Sequence, residues 1–150
     1  MKYKIISHFL KDISFEIPKV ETYLLLEKEI KKYSITFDIK SEQFKKNIIQ
    51  VDTTLKLVAK QEVKRKIHVE ITVRALASFE GDLKDKQSLE KIILIKIPKE
   101  IYPNLIDILS YLFTKSGIKD FNTNKNVDFE GDKEHNTRWW INKFKDINGN

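Results

Sequence analysis

The chain has no cysteine, and that absence removes disulfide cross-links, thiolate metal sites and cysteine nucleophiles together. It also fits a reducing compartment. Glycine occurs only at Gly81, Gly117, Gly131 and Gly149, too scattered for a glycine-rich loop that cradles phosphate. No G-x-S-x-G turn presents a serine nucleophile. The three histidines, His8, His68 and His135, stand far apart and in no metal-ligand spacing. Asp128 and Glu130 lie two apart in a polar stretch and read as solvated carboxylates rather than a catalytic pair. No apolar run approaches the roughly 18 residues of a membrane span. The longest candidate, Ile92–Ile97, contains Lys96. The opening residues, MKYKIISHFLKDIS, offer neither an uninterrupted apolar h-region nor a small-residue cleavage site. The expectation is a soluble cytoplasmic binding protein with no cofactor and no metal, not an enzyme.

What is present fits one domain. Of 150 residues, 41% are hydrophobic and 33% charged, enough for a core under an unusually wet surface. The net charge of +6 is compatible with nucleic acid, an anionic membrane or simple solubility as its reason. Arginine is confined to Arg65, Arg74 and Arg138, and lysine lacks the bidentate fork that suits base readout and phosphate clamping. The densest basic cluster, Lys60–Lys66, has no interleaved aromatic residue on which bases would stack. Nucleic acid is therefore not the expected partner.

The first half alternates with the period of strands. In Leu10–Pro18 (LKDISFEIP), Ile13, Phe15 and Ile17 fall on one side of an extended chain, and Asp12, Ser14 and Glu16 on the other. The preceding alternation of Tyr3, Ile5 and Phe9 is out of phase with this, which predicts a bulge near Ser7–Leu10. Pro18 brings no amide donor and ends the pairing. Residues Lys19–Lys32 read as either a short helix or a crossover loop. Further strands are predicted over Ser34–Lys40, Ile49–Lys60 and, after a turn at Gln61–Glu62, Val63–Phe79. In the last of these Ile67, Val69, Ile71, Val73, Ala75 and Ala77 share a dry face, opposite His68, Glu70, Thr72 and Arg74. Beyond Gly81 the pattern turns helical through Leu89, Ile92 and Ile93 until Pro98 interrupts. A new helix is expected to start near Pro103, carry Leu105, Leu109, Leu112 and Phe113, and end at Gly117. Asp120–Lys125 reads as a loop and Thr137–Ile147 as a short terminal helix. The fold class is α+β: a four-stranded antiparallel, Greek-key-like sheet packed with a long broken helix and a short C-terminal helix.

Three blocks now carry a resemblance. LKDISFEIP matches, nearly residue for residue, the K-D-I/L-S-F-E-x-P block of the SecB protein-export chaperones. Ile93–Gly117, with two prolines a few residues apart before an amphipathic helix that runs to a glycine, resembles that family's helix segment. Val127–Glu130 resembles the block before its last helix. The three lie in order, so residues 1–130 are read as a SecB-like chaperone domain and 131–150 as a divergent tail.

The resemblance implies an ATP-independent chaperone, a homotetramer built as a dimer of dimers. It would hold unfolded precursor proteins in apolar grooves and deliver them to the SecA translocation motor, with no membrane insertion of its own. Asp12, Glu16 and Glu70 match the acidic positions of the family's SecA-docking patch. His68 aligns with a further position of that patch that is typically apolar. Val69, Ile71 and Val73 match strand positions that influence assembly. The client groove would draw on Tyr23, Leu24, Leu25 and Leu26 from the crossover and on Leu112 and Phe113 from the long helix. The chain departs from many members in being basic and in ending NTRWWINKFKDINGN, where Trp139 and Trp140 stand in place of an acidic tail. Two rivals follow: a SecB-like chaperone dedicated to one partner, such as an antitoxin, and a basic nucleic-acid-binding module.

Overall fold

In a computed structural model that describes residues 1–81 and 83–118, strand β1 (Lys2–Glu16) leads into helix α1 (Val20–Glu29) and one 3-10 turn (Ile30–Lys32). Strands β2 (Tyr33–Lys45), β3 (Ile48–Ala59) and β4 (His68–Glu80) follow. A single antiparallel sheet has the order β1-β4-β3-β2, so the chain returns β1 beside β4 and uses α1 as the long connection of a Greek key. Helix α2 (Lys86–Lys91), a π-helical turn (Ile92–Lys96) and helix α3 (Ile97–Lys115) make one long helical element. The predicted loop at Asp120–Lys125, the block Val127–Glu130 and the helix Thr137–Ile147 lie outside the described residues.

The period-2 pattern decides the layers. Cross-strand partners share a face, and Val69, Ile71, Val73, Ala75 and Ala77 of β4, all buried, stand beside the inward residues Val51 and Leu55 of β3 and Phe37 and Ile39 of β2. Ile93, Leu94, Ile97, Ile101, Leu105, Leu109 and Phe113 of the helical element close over them. The core is therefore one layer between a sheet and a helix, and the opposite sheet face is left to water.

Several boundaries differ from the sequence reading for identifiable reasons. Residues 60–67 form a loop rather than the start of β4. Beyond His68, which faces Glu16, the next partner would be the Ile17–Pro18 segment, and Pro18 has no amide to donate. Val63 and Ile67 are buried in that loop, whose end is tied by Ile67 N–H donating to Tyr33 Oη at 3.0 Å. Pro98 and Pro103 do not interrupt the helix. The wider π-helical turn just before Pro98 re-registers the backbone bonds where its ring would crowd a carbonyl. Pro103 sits on the exposed side, where water can take the carbonyl left without a donor.

The C-terminal cap is as expected. Gly117 takes φ +84°, Ile118 N–H donates to Phe113 O at 3.0 Å and Gly117 N–H to Thr114 O at 3.1 Å, the paired bonds of a Schellman ending. In β1 two bulges, between Ile5 and Ser7 and between Leu10 and Asp12, replace the single one predicted. The first turns Phe9 to the outer face beside Arg74, whereas Tyr3 and Ile5 before it stay inward.

Candidate functional site

The acidic half of LKDISFEIP and the polar half of β4 meet. Asp12 faces Thr72, Ser14 faces Glu70 and Glu16 faces His68, all on the sheet face turned away from the helices. The four residues expected in the docking patch thus occupy adjacent strands at one end of that face. A residue the sequence reading passed over joins them. Lys56 of β3 places Nζ 2.7 Å from Asp38 Oδ2 and 3.8 Å from Glu70 Oε1, bridging two acids on neighbouring strands. The hydrogen bond to Asp38 raises the Lys56 pKa, partial burial works against it, and the charges of Asp38 and Glu70 add to the rise. The alternation of β2 places Asp38 opposite the buried Phe37 and Ile39, but only the strand order puts it within one lysine of Glu70.

Arg74 does not neutralise this end. It is clamped by Asp52, with Nε to Oδ1 at 2.7 Å and Nη2 to Oδ2 at 2.9 Å, and that hydrogen-bonded pairing raises its pKa. Between the two ion-paired groups Thr54 and Thr72 share a hydrogen bond of 2.7 Å. The face therefore offers Asp12 and Glu16 with no internal ion pair among the described residues, and Glu70 only loosely held. Among those residues no three His, Asp or Glu side chains come together as metal ligands.

The crossover is a helix, so its leucine run is divided among different sides. Thr22, Leu26 and Glu29 form the buried face of α1. Leu24 is 69% exposed, Tyr23 40% exposed and Leu25 half-buried. Val20, not singled out from sequence, is 70% exposed one turn before Leu24 on the same side. Of the helix residues, Leu112 is half-buried, while Phe113 is fully buried and meets Phe15 edge-on at 5.7 Å. Leu26 and Phe113 accordingly stand in the core, and the apolar surface that α1 leaves open to a ligand is Val20, Tyr23 and Leu24, with Leu25 beside them. It lies by the end of α3: a Cβ on Gly117 would sit 2.9 Å from the Tyr23 hydroxyl.

Val69, Ile71 and Val73 are core residues of the chain, facing Phe15, Ile13 and Leu10 across the β4–β1 pair. Their β1 neighbours are less covered, because the long helix lies over β4 and β3. Leu10 is 45% exposed and Ile13 38%, and Ile6 at the first bulge and Phe9 on the outer face are similarly open. The inward side of β1 is thus only partly the core strand the sequence implied. β1 is also an edge strand, with a backbone row that pairs with no strand among the described residues.

The sequence model of the family described as preprotein translocase subunit SecB matches residues 1–132. This chain belongs to the SecB family. It is 39% identical over 127 residues to a protein-export protein SecB of Pelagibacter ubique, an alignment covering 85% of this chain and 91% of that protein. Two solved structures share the fold. A SecB-like chaperone of Mycobacterium tuberculosis, in complex with a peptide from an antitoxin, superposes with TM-score 0.62 at 11% identity, covering 80% of this chain and 84% of that one. A Streptococcus agalactiae protein of unknown function gives TM-score 0.51 at 9% identity, covering 84% and 98%. Membership makes this a SecB-type chaperone, and no helix of the described residues is long and apolar enough to cross a membrane.

Proposed function

We propose that this SecB-family chain holds precursor proteins unfolded without ATP and hands them to the SecA motor. The observation that carries the reading is the exposed apolar row of α1, Val20, Tyr23 and Leu24, in a chain of this family. An unfolded client exposes apolar side chains, and their burial against such a row needs no sequence code and no nucleotide. Asp12, Glu16 and Glu70, with His68 and Asp38 beside them, form the face that meets a basic segment of SecA. Asp12 and Glu16 are free of internal ion pairs among the described residues, which leaves them able to take a partner's cations.

Assembly into a tetramer, a dimer of dimers, uses β1. Its open edge and the exposed Ile6, Phe9, Leu10 and Ile13 are what pairing with a second copy would cover. Val69, Ile71 and Val73 set the position of β1 from behind. The experiment is suppression of aggregation of several unrelated unfolded proteins in the absence of nucleotide, followed by association of the loaded chaperone with SecA. Holding of many clients supports the export reading. Holding of one client alone supports the dedicated form, which the fold shared with the antitoxin-peptide complex keeps in view.

A further inference from the structure

The outer face of the sheet is acidic at its Glu16 end, yet the protein as a whole carries +6. Much of the imbalance gathers where two distant segments meet. The loop after β3 is fixed at both ends to the 3-10 turn and the start of β2. Lys60 N–H donates to Lys32 O at 2.6 Å, and Ile67 N–H donates to the Tyr33 hydroxyl at 3.0 Å. Val63 and Ile67 turn inward as anchors, which leaves Lys64, Arg65 and Lys66 outward and exposed between them. The turn contributes Lys31 and Lys32. Six cations, Lys31, Lys32, Lys60, Lys64, Arg65 and Lys66, thus share one end of the molecule, and none makes an ion pair among the described residues. The loop's only acid is Glu62. Glu27 lies nearby on the last turn of α1 beside Lys28, and Glu29 is turned into the protein.

We infer that this end of the molecule is a second docking surface, one that seats the protein on an anionic lipid bilayer. Five of the six cations are lysines, compact charges suited to a diffuse field of headgroups rather than to forked recognition of single phosphates. No exposed aromatic side chain stands in the loop, and Tyr33 is buried with its hydroxyl engaged, so bases have no surface on which to stack. The charges are carried on a loop pinned at both ends, which holds them together without a partner's help. The basic surface also abuts the acidic face, since His68, opposite Glu16, follows directly on Ile67. Two surfaces of opposite sign side by side let the protein rest on a membrane while the acidic face stays open.

The test is sedimentation of the full chain with phosphatidylcholine vesicles, with and without phosphatidylglycerol, for the wild type and for a Lys64→Gln/Arg65→Gln/Lys66→Gln variant. The wild type is expected to bind the vesicles containing phosphatidylglycerol, weakly or not at all the neutral ones, and to release as salt rises. The variant, with three cations near an anionic surface removed, is expected to lose affinity by roughly a hundredfold. Its thermal transition and client holding should stay unchanged, because these side chains are exposed and outside the client row. Equal binding to both vesicle types, no binding by the wild type, or a variant that binds as the wild type does overturns the inference. So does a duplex RNA that binds tightly while vesicles do not. Client holding is measured without lipid, so failure of the chaperone reading would show separately.

Discussion

Phe113 is where a groove residue and a core residue part company. Replacing it with alanine removes a fully buried ring from beneath the sheet and from its edge-on contact with Phe15 at 5.7 Å. A fully buried phenylalanine truncated to alanine costs about 3–5 kcal/mol, the sum of lost transfer free energy and an unfilled cavity. Against a domain stability of roughly 5–15 kcal/mol that is a severe loss. For a chain of this length it corresponds to a fall of roughly 6–20 °C in the melting midpoint. Leu24→Ala, at 69% exposure, should change stability by no more than about 0.5 kcal/mol and instead weaken client holding. Chemical denaturation at fixed protomer concentration reads the first effect, and aggregation suppression reads the second. A double-mutant cycle of Phe15→Ala with Phe113→Ala should show a coupling of about 0.5–1.5 kcal/mol. If Phe113→Ala kept its stability and lost only client binding, the ring would be lining a groove and the packing described here would be refuted.

Glu16→Lys and Glu70→Lys should each weaken SecA association by on the order of tenfold, mostly through a slower on-rate, with client holding retained; equal loss of both activities would point to damaged folding instead. Ile13→Lys should lower the assembled mass seen by light scattering while the circular dichroism spectrum persists, because Ile13 is 38% exposed in the protomer. Tyr3 donates to Glu100 at 2.7 Å, and burial, then that bond, then the Glu100 charge push its hydroxyl from the ordinary 10.0 up to about 12. A raised phenol pKa favours the folded state while the phenol is neutral. Its contribution is complete below pH 10 and lost as pH climbs through 12, and Tyr3→Phe should flatten that part of the stability–pH curve, read by denaturation at stepped pH.

Most of the sheet was legible because alternation is a local signal. The inward faces of β3 and β4 and the acidic outer face of β1 follow from residue order alone, and the pairing of Glu70 with Ser14 confirms that they share a face. What escaped depends on neighbours in space. Lys19–Lys32 could not be resolved between helix and loop, since Leu24, Leu25 and Leu26 in succession suit neither period; once α1 forms, only Leu26 points to the core. The phase change along β1 signalled one bulge, but that there are two, the first turning Phe9 outward beside Arg74 and the second lying between Leu10 and Asp12, shows only in the pairing with β4. The loop at residues 60–67 keeps strand-like alternation because Val63 and Ile67 are buried, but it lacks a partner strand. The bridge from Lys56 to Asp38 and Glu70 required the strand order.

The measurement that tests the central claim most directly is light scattering coupled to size exclusion, on the purified full chain with and without a reduced, unfolded client and with no nucleotide. The account predicts an assembly of several protomers that gains the mass of bound client and keeps it off the aggregation path. A monomer whose elution ignores the client would contradict it.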